Sequence, residues 1–476
     1  MSDPQSLAER KCAQRGRPFA ELFRNQFVLD RDRNRAYPGF VTLELGAGWI
    51  LHHGAALHVA RLEDAAGQAA GAVLGLALTP DSRLIETALR LPGKADAPGF
   101  LESAEDSIAA LAGKYVVVLV TEAASRVYGD PVLDMPILYD PETRRVASSL
   151  GLMLDRDIRP NPPFAARRVL AGRGSLSFGN TLDASARRLL SNHYLDLDSF
   201  APHRHWPTED TRLETAPAEF PGEMAAIIER LSNHLGALID HFDCVLSVTG
   251  GRDSRMLLGC AFDRLGDLHE LSGYHFHQQT RRDVAMARQI VSDIGHHYKV
   301  YRPEPPSRTA LRDMRLKMGW SGSRGELQAL AMLNSYPRDH VILRGNIMEL
   351  LRANQWRQDK LDQPLHLVHG VRRLRLGVSD RGSARVWRSE YTKWFDGLPP
   401  AAQARPYDFG FVEMSLPNYQ GAYLNGYGHA TFLNPFNDRE LIRRAIALPP
   451  RYRYEGHAVQ AVIARAQPYL LSYPFI

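Results

Sequence analysis

Val245-Leu-Ser-Val-Thr-Gly-Gly-Arg-Asp-Ser-Arg255 joins a β-branched run, CVLSV, to a stretch of helical texture, SRMLLGCAFDRL. Two adjacent glycines at such a junction let the backbone turn tightly and bring N–H groups close to an anion. A helix starting near Asp253 and Ser254 aims its first amides, and the positive end of its dipole, at the same place. Thr249 and Ser254 add hydroxyl donors, and Asp253 is suited to Mg²⁺. The implied chemistry is a pyrophosphate-sized anion held with a divalent metal. The alternative is a plain strand–helix turn with Asp253 or Ser254 as N-cap. There is no GxxxxGK[ST] lysine pattern and no GxGxxG, so neither a Walker loop nor a dinucleotide fingerprint is present.

Outward from this loop, the alternation continues. MAAIIERLSNHLGALIDHF precedes it with apolar residues at helical spacing. HELSGYHF reads as a second strand, RRDVAMARQIVSDIG as a helix, HHYKVYR as a third strand and HVILRG as a later one. This β-α-β-α-β order predicts a parallel sheet covered by helices over 206–476, mostly helical beyond Gly345. Residues 1–205 differ. About 36 polar residues predict a helical or loose leader, and the strands start at Phe40 with FVTLEL, GWILHHG, ALHVARL and AVLGLAL. A helix over Phe100 to Leu111 and the buried strand YVVVLVTEA follow, so this half reads as strand-rich α+β.

The 476 residues are 44% hydrophobic and 23% charged, the texture of a globular protein of two or three domains. The net charge of +5 argues for neither nucleic acid nor membrane. Arg352 to Arg388 is locally basic but lacks aromatic interleaving, and reads as a solvated face or an electropositive rim. Three scattered cysteines, Cys12, Cys244 and Cys260, exclude a disulfide framework and predict a reducing cytoplasm. No apolar stretch is long enough for a signal-peptide core or a membrane span.

Thr249-Gly-Gly-Arg-Asp-Ser254 resembles the SGGxDS pyrophosphate loop of N-type ATP pyrophosphatases, with Thr in place of the first Ser. Within them the chain is similar to the asparagine synthetase group, which includes β-lactam synthetases and lasso-peptide cyclases. Arg282 to Gly295 resembles that group's helix after the second strand. Leu343 to Leu351 lies where the family has GEGADELF, and Asn434-Pro-Phe-Asn-Asp438 resembles its VPFLD segment. In the first half, Gly129 to Tyr139 and Leu189 to Asp196 resemble parts of the preceding glutaminase domain. The resemblance implies an N-terminal Ntn-hydrolase-like sandwich (1–205) ahead of a parallel-sheet ATP-pyrophosphatase domain (206–476). It implies ATP on Ser247, Thr249, Gly250, Gly251, Asp253 and Ser254, with adenine on the backbone of Leu271, Ser272, Gly273 and Tyr274. Asp253 and Glu349 would hold Mg²⁺.

The chain departs from that family in three places. A glutaminase of this type needs an N-terminal Cys whose free amine serves as base. Here Ser2 follows Met1 and Cys12 is internal, so glutamine hydrolysis is not expected. The family's metal-binding Asp falls on Met348, and a thioether is no Mg²⁺ ligand. The late Lys of amide-forming members is missing between Tyr452 and Ile476, where Arg453 and Arg465 are the cations. Catalytic charge is then assigned to Arg255 and Arg344, with Glu349 as metal ligand or base and Arg352 as its intrahelical partner. The function expected is an ATP-dependent ligase that adenylates a small-molecule or peptide carboxylate and passes the acyl group to a bound amine. No membrane partner and no nucleic acid are expected, and a homodimer is allowed. An inactive scaffold on the same fold is the alternative, and an RNA-modifying adenylating enzyme is a third reading that the glutaminase-like half opposes.

Overall fold

A computed structural model describes residues 5–162, 171, 176–275, 278–302, 305–323, 327, 329, 333–361, 370, 381–421 and 427–476. The chain builds two antiparallel-dominated sheets and one parallel sheet, a mixed α/β and α+β architecture.

The first sheet has six strands in the order β11–β9–β10–β1–β3–β2. In chain order these are β1 (Phe27–Asp30), β2 (Phe40–Gly46), β3 (Trp49–Gly54), β9 (Leu138–Asp140), β10 (Arg145–Ala147) and β11 (Arg187–Arg188). The second has seven strands in the order β13–β12–β8–β7–β5–β4–β6. They are β4 (Val59–Glu63), β5 (Ala69–Leu78), β6 (Ala88–Arg90), β7 (Ala112–Val120), β8 (Ser125–Gly129), β12 (His193–Asp196) and β13 (Ala201–Arg204). The two sheets pack face to face. Phe27, Leu29, Trp49 and Leu51 of the first meet Ala72, Leu74, Val116 and Val118 of the second in one dry cluster. The alternate residues of β5 and β7, Val73, Tyr115 and Val117, turn the other way onto Phe100, Ala104 and Ile108 of the helix Phe100–Ala109. Period-two alternation on buried strands thus supplies two apolar faces, one for each neighbouring layer.

The leader takes the helical of its two expected forms: Leu7–Gln14 is a helix closed by a capping box between Ser6 and Glu9, with Leu7, Ala8 and Cys12 buried. One expectation for this half needs correction. The strands begin at β1, not at Phe40, and β1 lies between β10 and β3 inside the sheet. β10 ends at Ala147, and Leu150–Met153 that follows is a helical turn.

The parallel sheet has the order β16–β15–β14–β17–β18. Its strands are β14 (Cys244–Ser247), β15 (Glu270–Tyr274), β16 (Tyr298–Tyr301), β17 (Val341–Leu343) and β18 (Thr431–Leu433), every pair parallel. The chain moves outward from β14 to one edge and then returns to β14's other side. That reversal makes the carboxyl ends of β14 and β17 the topological switch point, where open parallel sheets bind ligands. Leu246, Leu343 and Leu433 face a helical layer, including Leu235 and Leu238 of the helix Phe220–His241, whereas Val245, Ile342 and Phe432 face a tyrosine-rich cluster. The fifth strand, β18, is absent from the sequence reading.

The two halves are locked together. Asn437 donates to the Gly113 carbonyl at 2.6 Å and to Asp130 at 2.8 Å, and Arg439 donates to the Gly129 carbonyl at 3.0 Å. Residues of both halves, among them Leu7, Val28, Leu231 and Leu343, share one hydrophobic cluster, so position 205 does not divide the core.

Candidate active site

The glycine loop occupies the predicted place, between β14 and the helix Arg252–Cys260. Its N-cap is Gly251, with no side-chain cap, so neither Asp253 nor Ser254 serves that role. Ser254 instead turns back on the loop. Its hydroxyl accepts from the Thr249 amide at 3.0 Å and lies 2.8 Å from the Thr249 hydroxyl, which accepts from the Gly251 amide at 3.1 Å. These bonds hold the turn in shape without using the amides of Gly250, Arg252, Asp253 or Ser254. Those four amides have no hydrogen-bond partner among the described residues. Convergent unpaired N–H groups at a helix start form an anion cradle.

Facing the loop is the turn after β17, a 3-10 helix over Asn346–Arg352. Its approach is close: a Cβ on Gly345 would stand 3.0 Å from the Asp253 carbonyl oxygen, so a side chain there would push the two segments apart by a few tenths of an ångström. Arg352 was read as the partner of Glu349, and that pair exists at 3.3 Å. Its stronger engagement is with Asp253, through Nε to Oδ1 at 3.0 Å and Nη2 to Oδ2 at 2.8 Å. The turn therefore brings Asp253 and Glu349, 96 positions apart in the chain, to one guanidinium.

Both carboxyls sit above their usual range. Burial raises Asp253, opposed by Arg352. Burial, reinforced by the charge of Asp253, raises Glu349 to about 7. Arg344, at the end of β17, lowers Glu349 from a distance; its guanidinium stands 5.3 Å from the Phe432 ring and has no hydrogen bond or ion pair among the described residues.

Arg255 is placed differently from the expectation. It is fully buried, and its guanidinium turns away from the loop's open side. It donates to the carbonyls of Tyr473 at 2.7 Å, Pro474 at 2.9 Å, Gly250 at 3.0 Å and Leu470 at 3.3 Å. Phe475 stacks on it at 4.3 Å, and the Ile476 amide donates to the Gly250 carbonyl at 3.2 Å. All this fixes residues 470–476 against the back of the glycine loop, so Arg255 positions the loop and does not reach a substrate. Arg255→Met should leave four carbonyls short of a charged donor and cost about 3 kcal/mol or more. Urea unfolding checks this; an unchanged midpoint would remove the clamp assignment.

Arg453 is also structural. It is fully buried, pairs with both oxygens of Asp408 at 2.9 and 2.7 Å, and donates to the Leu350 carbonyl at 2.7 Å, next to Glu349. Arg465 is exposed and Met348 is buried in the core. Of the four positions expected to meet adenine, Leu271 and Ser272 are buried and paired on both sides, to Leu246 and Ser247 and to Tyr298 and Lys299. Only the strand end, Gly273 and half-buried Tyr274, remains for contact. A Cβ on Gly273 would lie 2.0 Å from the hydroxyl of Tyr298, which donates to the Val248 carbonyl at 2.8 Å and steadies the start of the loop. Sequence reading gave Tyr298 no role, named Arg453 only as a late cation, and missed the Arg352–Asp253 pair. Only topology reveals them.

Asp253 and Glu349 fit Mg²⁺ by donor type: two hard oxygen ligands, with phosphate oxygens to complete the shell. Arg352 must then leave Asp253, whose two oxygens it now occupies. Among the described residues no three His, Cys, Asp or Glu side chains cluster as a self-sufficient metal site. No helix among them is long and apolar enough to cross a membrane. Ser2 and, within the basic stretch 352–388, residues 362–369 and 371–380 lie outside the described residues. No family model matches this chain, and no curated protein matches it.

Proposed function

We propose that the chain is an ATP-dependent, AMP-forming carbon–nitrogen ligase of the asparagine synthetase type, with a degenerate glutaminase-like first half. The single observation that carries the reading is the cradle of unpaired amides at the switch point of a five-stranded parallel sheet, faced by Asp253, Glu349 and Arg344. The face-to-face antiparallel sheets ahead of it support the Ntn-like assignment of residues 1–205.

In this reading the amides of Gly250 and Arg252 to Ser254 bind and orient the pyrophosphate portion of ATP. A substrate carboxylate attacks the α-phosphorus, giving an acyl-adenylate and pyrophosphate. Arg344, held by the Phe432 face and without an ion pair among the described residues, meets the leaving charge. Mg²⁺, when bound by Asp253 and Glu349, would supply further neutralisation of that charge. Glu349, poised near 7, can alternatively take the proton of the incoming amine, which then displaces AMP. Tyr298 and Arg453 hold the two loop segments at the spacing these steps need.

Carboxylate-dependent exchange of labelled pyrophosphate into ATP, screened over amino acids and short peptides, tests the proposal. Exchange with at least one acid is the expected result. No exchange across the screen, together with no ATP binding, would overturn it. The rival reading, an inactive scaffold, draws on the occupation of both Asp253 oxygens by Arg352 and predicts that second outcome.

The amine is expected to be bound directly. Cys12 is buried, and desolvation pushes its thiol up to about 11, far from a reactive thiolate. Purified protein should release no glutamate from glutamine, and glutamine should not stimulate product formation. Glutamate release lost in Ser2→Ala would contradict this.

A further inference from the structure

Between the antiparallel half and the parallel sheet lies a cavity of about 520 Å³ that the ligase reading does not use. Its lining is largely apolar, with Leu76 and Met135 on one side and Phe242, Val341, Tyr427 and Ala430 on the other. One charged group stands out. Lys114 lines the cavity from β7, is only 6% exposed, and makes no hydrogen bond or ion pair among the described residues. A largely buried ammonium with no protein partner, open only to the cavity it lines, is costly to keep. In a cavity of ligand size, it is the signature of a site whose partner arrives with the ligand.

We propose that this cavity binds a small monocarboxylate with an apolar body, its carboxylate paired with Lys114. The chemistry narrows the class. Among the described lining residues there is a single lysine and no arginine, which matches one negative charge better than a phosphate. The two lining carboxylates, Glu86 and Asp339, are 63% and 60% exposed and already face His241 and Arg24 at 3.2 and 3.0 Å, so they lie at the mouth and disfavour a multiply charged anion. His58 also lines the wall but spends Nε2 on the Ile85 carbonyl at 3.1 Å. On the core side, buried Asp134 feels the charge of Lys114 without a hydrogen bond or ion pair to it, and accepts from Asn434 at 3.4 Å. The cavity is separate from the glycine loop, and the proposal stands whether or not the ligase reading does.

The test uses the full chain and calorimetric titration with linear monocarboxylates from butyrate to decanoate and 4-phenylbutyrate, with the matching primary alcohols as neutral controls. Saturable binding of at least one acid is expected, at least tenfold weaker for its alcohol. Lys114→Met should lose that binding at least tenfold while remaining folded, because it removes an unpaired buried charge. Ala56→Trp, at the exposed lip of the cavity, should block binding without touching Lys114. Asp253→Ala should leave it unchanged, which separates this site from the glycine loop. Absence of saturable binding to any acid, equal binding of acid and alcohol, or wild-type binding by both Lys114→Met and Ala56→Trp would each overturn the proposal.

Discussion

Glu349→Gln should reduce product formation by about 10²–10⁴-fold while the protein stays folded. The size follows from the position of the carboxyl. It is shielded enough to titrate at about 7, it shares a guanidinium with Asp253, and it lies within the electrostatic reach of Arg344. Its contact with Arg352, at 3.3 Å with both side chains partly exposed, would stabilise the turn by only a few tenths of a kcal/mol. Which half-reaction fails identifies the role. If Glu349 takes the amine proton, the Gln variant still exchanges pyrophosphate into ATP and stalls before amide formation. If it is a metal ligand, exchange is lost as well. Wild-type rates in both halves would remove Glu349 from the chemistry.

The same carboxyl gives a stability signature that does not depend on substrate. Its folded pKa, about 7, lies above the usual 4.5. The folded state therefore binds the proton more tightly than the unfolded chain does. The associated stability is present below 4.5 and is lost as the pH rises towards 7. The wild type should lose melting temperature over that window relative to Glu349→Gln, which has nothing to titrate there.

How much of this was readable in the sequence depended on the range of the interaction. The loop at Thr249–Ser254, four of the five parallel strands and the long helices are written locally, in β-branched runs and helical spacing. β1 escaped because FVLD is four residues in a polar neighbourhood, and β18 because TFL is three. Both become strands through partners far along the chain, His52 and Ala147 for Val28, Ile342 for Phe432. The site shows the same division. Asp253 and Glu349 could be singled out, but Arg352 could be assigned only to its neighbour three residues away. Its grip on Asp253 spans 99 positions. Arg255, adjacent to the glycine loop, invited a catalytic role by proximity; its direction was set by carbonyls at 470–474 that no local pattern announces.

Asp253→Ala should abolish ATP-dependent pyrophosphate release, and here stability and activity are expected to part. Asp253 does not cap its helix, since Gly251 holds the N-cap without any side-chain bond from Asp253, so the loss of about 1 kcal/mol that a cap mutant suffers is not expected. Burial raises its carboxyl against the pull of Arg352, so the folded protein retains that proton more readily than the unfolded chain and is progressively penalised as the pH rises through the carboxylate range. Removing the group relieves that penalty and releases Arg352 to Glu349 alone. Denaturant midpoints near neutral pH should therefore be unchanged or slightly higher, while pyrophosphate release falls below detection. Asp253→Asn sharpens the comparison, because the amide keeps the shape and one acceptor for Arg352 but not the charge. Loss of release in both variants, with folding intact, is what a phosphate-site carboxylate requires. Retention of release in Asp253→Asn would make the residue a spacer for Arg352, and retention in both would detach the glycine loop from ATP chemistry altogether.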